Sequence, residues 1–208
     1  MSAMHVFLGG EGRNELGSRS GHPVDQTDDA PGVVASILRR CHADGWRVVG
    51  ATEWKNISKL SAKGPTPKEE RNVLGLVLEA KRAKAHTVAF IRDADGDPKR
   101  VDAIHKAIEK AKELFPDVEV IGGVAVPVLE AWLLALVDEP GTERLAKAKA
   151  QSLLEERGVR PKDTHAMVKL VTASNLERLP QDAVGLRRWL ATAAEVLPRR
   201  VREFGTEV

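Results

Sequence analysis

Tyrosine is absent from this 208-residue chain, which has only four phenylalanines and four tryptophans. Proteins that hold single strands by base stacking need rows of exposed aromatic faces, and this composition supplies little for them. The single cysteine, Cys41, excludes an intramolecular disulfide and a cysteine-based zinc site. Six scattered histidines with no His-x-x-x-His spacing give zinc hydrolysis little support. There is no Gly-x-x-x-x-Gly-Lys-Ser/Thr phosphate loop and no Gly-x-Ser-x-Gly elbow. Gly10-Glu11-Gly12 lacks the third glycine of a dinucleotide fingerprint, since Glu15 stands in its place. The longest apolar run, Ala131 to Val137, is too short to span a bilayer. The N-terminus has no basic leader, and Val6-Phe7-Leu8 is too short for a secretion signal. These absences predict a cytoplasmic chain with no membrane partner.

An excess of one charge is also missing. The 32 Lys/Arg nearly balance the 30 Asp/Glu, which is not the signature of a general nucleic-acid coat. The distribution is uneven: thirteen Lys/Arg face nine Asp/Glu after residue 140. A mildly basic C-terminal part, with the pairs Arg187-Arg188 and Arg199-Arg200, suits a polyanion or an acidic partner; a solvated helical surface is the competing reading.

With 42% hydrophobic and 30% charged residues, the chain reads as globular. Met4–Leu8, Trp46–Thr52, Thr87–Arg92 and Val118–Val126 read as strands bounded by Gly, Pro or Asp. Helical periodicity separates them, from Pro31 to Gly45, over Lys68–Lys84 and from Pro98 to the Pro116-Asp117 break. A short helix from Pro127 through Val137 follows the fourth strand. Residues 13–30 form a polar insert, and Lys55, Lys59, Lys63, Gly64, Pro65 and Pro67 lie in a loop after the second strand. This alternation predicts an α/β fold, a four-stranded, mainly parallel sheet flanked by helices. Residues 1–137 make that domain, and 138–208 a helical C-terminal extension with helices near 142–157, 163–173 and 182–196. Cys41 falls on an apolar helix position and reads as core.

In parallel sheets, sites form where the strands end. Glu11 follows the first strand, Asp93 and Asp95 the third, and Glu130 the fourth. Carboxylates gathered there suit Mg²⁺ or Mn²⁺, hard cations that prefer oxygen ligands and keep positions open for phosphate oxygens. Each acid also has a structural reading. Glu11 fits an ordinary loop, and Asp97 fits a cap for the helix beginning at Pro98. Glu130 fits compensation of a helix dipole. A calcium-hand loop is excluded, because its twelfth position would be Ile104.

Two motifs carry a family resemblance. Val6-Phe7-Leu8-Gly9-Gly10-Glu11-Gly12 and Phe90-Ile91-Arg92-Asp93-Ala94-Asp95 resemble the Glu-Gly and Asp-x-Asp strand ends of the TOPRIM domain of topoisomerases, primases and OLD-type nucleases. Glu11-Gly12-Arg13-Asn14-Glu15 and Pro127-Val128-Leu129-Glu130-Ala131-Trp132-Leu133-Leu134-Ala135 are similar to motifs of short, stand-alone bacterial TOPRIM-like proteins. The likeness covers roughly residues 4–137, and the 13–30 insert is longer than a minimal TOPRIM connection.

The resemblance implies that Glu11 is a general acid/base or metal ligand and that Asp93 and Asp95 bind Mg²⁺. Asp97 and Glu130 complete the candidate site, Asp97 as a further ligand and Glu130 as a further catalytic acid. It also implies a nuclease acting on DNA or RNA, the effector of an ATPase-linked phage-defence pair. The alternative is a non-catalytic TOPRIM-like metal- or ligand-binding subunit serving an ATPase.

Overall fold

Val6-Phe7-Leu8 and Val88-Ala89-Phe90-Ile91 have no polar residue to turn toward water. Strands of this kind need cover on both faces. The computed structural model describes residues 3–19, 30–58 and 67–205. Its strands are Met4–Gly10 (β1), Trp46–Glu53 (β2), Thr87–Asp93 (β3) and Glu119–Ala125 (β4). Between and after them come Arg13–Leu16 (α1), Val33–Cys41 (α2), Lys68–Arg82 (α3), Pro98–Leu114 (α4) and Leu129–Ala135 (α5). Lys147–Glu156 (α6), Thr164–Ala173 (α7) and Val184–Gly205 (α8) follow. Lys59, Lys63, Gly64 and Pro65 of the loop, and positions 20–29 of the insert, lie outside the described residues.

All strand pairs are parallel, in the order β2-β1-β3-β4. Alternation along the strands sorts side chains into two cores. Val6, Leu8, Ala89 and Ile91 pack with α2, α5, α7 and α8. Phe7, Val88, Phe90 and Val120 pack with α3 and α4. The β1–β2 connection therefore runs over one face, and the next two crossovers run over the other. The chain reverses its direction across the sheet between β1 and β3. At such a reversal the connections diverge and leave a crevice beyond the strands' carboxyl ends.

The C-terminal helices supply much of one layer. Leu186, Trp189, Ala193 and Leu197 are buried in the same core as Met4 and Val6. The Trp189 indole N–H donates to the Phe90 carbonyl at 3.1 Å, so the helix is keyed to the centre of the sheet. α8 also runs through Pro198 to Gly205, further than its sequence pattern predicts. Tertiary anchors hold these last turns. Arg199 pairs with Glu119 at 2.5 Å. Arg200 donates to the carbonyls of His86 at 3.2 Å and Asp117 at 3.0 Å, and its guanidinium lies over Phe204. Arg187 donates to the Leu179 carbonyl at 3.2 Å. Three of the four arginines expected to face a polyanion are thus held within the chain. Cys41 is half-buried against the core, and burial pushes its thiol up to about 11.

Asp97 caps α4, its carboxylate accepting the Lys99 N–H at 3.0 Å with Pro98 in the first turn. Asp97→Ala is expected to cost about 1 kcal/mol, read as a lower urea midpoint. An unchanged midpoint with weakened metal binding would instead restore Asp97 to the ligand set. Among the described residues no helix is long and apolar enough to cross a membrane.

Candidate functional site

At the end of β1 the chain turns sharply, and one-turn α1 carries Glu15 back over the strand. Gly10 permits this fold-back: a Cβ there would lie 2.4 Å from the Glu15 Cβ. Gly32 lets the start of α2 pass close beneath, since its Cβ would sit 2.2 Å from the Glu15 carbonyl oxygen. Glu15 is 7% exposed, and its carboxylate accepts the Gly12 N–H at 2.9 Å. Burial pushes Glu15 up to about 7; the Glu130 and Glu53 carboxylates add to the rise, while backbone N–H bonds oppose it.

Asp93 is the last residue of β3. Its Oδ1 accepts the Leu129 N–H at 2.8 Å, at the first residue of α5, which begins at Leu129 and not at Pro127. Burial pushes Asp93 up to about 7. The Glu15 carboxylate is the next cause, Glu130 and Asp95 contribute, and the Leu129 N–H opposes them. Glu130, 8% exposed in the first turn of α5, accepts from the Gln151 amide at 3.1 Å. Asp93 therefore joins Glu15 from β1–α1 and Glu130 from α5 in one group of mutually repelling carboxylates at the crevice.

Glu11 ties the two central strand ends together. Its Oε1 accepts the Asp93 N–H at 3.1 Å and pairs with the Arg92 guanidinium. Asp95 is exposed and adopts a left-handed backbone, φ 51°. It bonds Arg100 at 2.7 Å and Lys147, from α6, at 2.9 Å. Burial raises the Asp95 carboxyl, but those two cations outweigh it and hold it below the ordinary carboxylate range. Arg100 also donates to the Asp93 and Ala94 carbonyls at 3.1 and 3.2 Å. Glu69 orients this basic rim. It pairs with the Arg100 Nε at 3.2 Å, lies 3.7 Å from Arg92, and accepts from the Trp54 indole at 2.8 Å.

The set named from sequence for a cation was Glu11, Asp93, Asp95 and Asp97. Among the described residues no group of three or more His, Cys, Asp or Glu is arranged to hold a metal ion, and most of this set has other partners. Arg92 takes Glu11, Arg100 and Lys147 take Asp95, and Asp97 serves as a helix cap. Mg²⁺ does not require three carboxylates, since it commonly takes one or two and completes its shell with water and phosphate oxygens. The half-buried Asp93 and the buried Glu15, which repel one another, have the donor chemistry for that kind of site. Glu15 closes the Glu11-Gly12-Arg13-Asn14-Glu15 motif, and its i+4 spacing from Glu11 is the sequence signal for its part in the site, a part not assigned from sequence. Arg92, Arg100, Lys147 and Glu69 were not assigned from sequence either. Comparison with family models, curated proteins and solved structures returns no match.

Proposed function

We propose that the chain is a divalent-metal-dependent phosphodiesterase acting on nucleic acid, DNA or RNA. The observation that carries this reading is the place of Asp93. It lies at the reversal of strand order, half-buried and electrostatically coupled to the buried Glu15 and Glu130, and near a rim of Arg92, Arg100 and Lys147. Paired acids flanked by cations suit a phosphodiester, whose transition state gathers negative charge on its oxygens. Asp93 and Glu15 would hold Mg²⁺ or Mn²⁺, which when bound neutralises phosphate charge and acidifies a water. Arg100 and Lys147, released from Asp95, orient the phosphate from the rim. Glu130, screened from solvent and held by Gln151, is placed to exchange a proton at its free oxygen. Glu11 fixes the strand ends through the Asp93 N–H and Arg92.

A second reading, a metal- or ligand-binding subunit that serves an ATPase, draws on the ion pairs. Glu11 and Asp95 already have cationic partners within the chain. Cleavage of single- and double-stranded DNA and RNA in Mg²⁺, Mn²⁺ and EDTA separates the two. Cleavage that requires the metal and stops in EDTA is expected for the enzyme. Metal binding without cleavage of any substrate, with or without an ATPase partner, supports the binding subunit.

A further inference from the structure

A second basic feature adjoins the crevice. A pocket of about 460 Å³ is lined by Arg13, Arg160, Lys162, Asp163, Thr164 and His165, with Pro161 in its wall. The side chains of Arg13, Arg160 and Lys162 are exposed and have no ion-pair or hydrogen-bond partner among the described residues. Among the described residues, Asp163 is the one acid in the lining, and its carboxylate caps α7 by accepting the Ala166 N–H at 3.0 Å. The side chains, rather than the helix end, therefore define the pocket. Three cations around one hollow outnumber the single Asp163 carboxylate there and repel one another in the free chain, and a polyanion relieves that repulsion.

The pocket is fixed to the crevice through α1. The Thr164 hydroxyl donates to the Asn14 side-chain oxygen at 3.1 Å, which docks the start of α7 on α1. Within α1, Arg13 lines the pocket and Glu15 belongs to the acidic group around Asp93. One helical turn thus carries a cation of the pocket and an acid of the crevice.

We infer that this pocket binds a backbone phosphate of the nucleic-acid strand whose scissile phosphate occupies the crevice. The inference rests on the nucleic-acid reading of that crevice. It assigns Arg13, Arg160 and Lys162 to strand positioning, with no part in bond breaking. Their contacts are to phosphate, so they add affinity and register without base preference.

The test uses the full chain carrying Asp93→Asn, in EDTA, so that binding is measured without turnover. Fluorescence anisotropy with single-stranded 20-nucleotide DNA and RNA probes is recorded across a salt series. Adding Arg160→Gln and Lys162→Gln is expected to weaken binding about tenfold and to lower the slope of log affinity against log salt by about 1.5. Arg82→Gln with Lys106→Gln removes the same charge from α3 and α4, on the other face of the sheet, and is expected to leave the slope unchanged. Both pairs are exposed, and matching thermal midpoints verify that the variants are folded. An unchanged slope in the pocket variant, an equal fall in the control pair, or no binding by the parent overturns the proposal. Cleavage by the chain with Asp93 intact is a separate readout. Absent cleavage with a selective slope change refutes the catalytic reading alone, whereas cleavage with no slope change refutes the pocket alone.

Discussion

Asp93→Asn is expected to lower metal-dependent cleavage by about 10³-fold or more, while leaving the fold intact. The fold survives because asparagine keeps a side-chain oxygen where Asp93 accepts the Leu129 N–H, at 2.8 Å. Activity falls because the substitution removes the central anion of the acidic group. A metal that loses a ligand charge loses several kcal/mol of transition-state stabilisation, and each 1.36 kcal/mol is a factor of ten. The contrast with the neighbouring acids makes the prediction specific. Glu11→Gln keeps an acceptor for the Asp93 N–H and loses mainly the Arg92 ion pair. Asp95→Asn alters an exposed residue bound to Arg100 and Lys147. Each is expected to cost about tenfold or less. The measurement is single-turnover cleavage with saturating Mg²⁺ or Mn²⁺, supported by calorimetric metal titration. If Glu11→Gln and Asp95→Asn are as damaging as Asp93→Asn, the site works through the Glu11, Asp93 and Asp95 set read from sequence, and the Asp93–Glu15 pair is wrong.

The fold was legible because its signals are local and agree with one another. Apolar runs gave β1 and β3, Pro98 marked the start of α4, and alternation with helices implied parallel pairing, although α2 ends at Cys41, ahead of the Gly45 expected to close it. Placing the strands was harder. β1 and β3 are both buried on both faces, and nothing in Val6-Phe7-Leu8 or Val88-Ala89-Phe90 states that these two lie side by side. α8 runs past the expected end near 196 and through Pro198, a local stop signal that the anchoring of Arg199 and Arg200 overrides. In the site, the acids were visible as types and positions, but their partners were not. Lys147 reaches Asp95 from a helix 52 residues away, beyond any motif window. Arg92 and Glu69 read as ordinary strand and helix charges until Glu11 and Trp54 are placed beside them. Glu15 was passed over because its importance comes from burial, which depends on Gly10 and Gly32 allowing two backbones to approach.

In EDTA, the chain is expected to lose stability as the pH rises from about 4 to about 7, the reverse of ordinary acid denaturation. Asp93 is raised from 3.8 to about 7 and Glu15 from 4.5 to about 7, in both cases chiefly by burial. Between the unfolded and folded values, the folded chain binds more protons than the unfolded chain. Stability therefore falls with rising pH in that window. Because Asp93 and Glu15 share one site, they titrate together, and the combined fall is less than the sum of two isolated sites. Glu143, also raised by burial, acts in the same direction. His105 acts in the opposite one: burial and Arg188 lower its pKa, so it contributes a small gain as the pH rises through about 6.5. Asp95, held low by Lys147 and Arg100 against its burial, contributes a loss only below the window, as the pH falls through its folded value. Urea unfolding at half-unit steps from pH 4 to 8 measures the profile. Asp93→Asn is expected to flatten the fall and to be more stable than the unsubstituted chain at pH 8. Mg²⁺ or Mn²⁺ at pH 8 is expected to restore stability to the unsubstituted chain but not to the variant, because a cation favours the folded state only where it finds the ionised pair. Stability that rises between pH 5 and 7 in EDTA, or a variant with the same profile as its parent, would show that Asp93 and Glu15 are not the strained acidic pair described at this crevice.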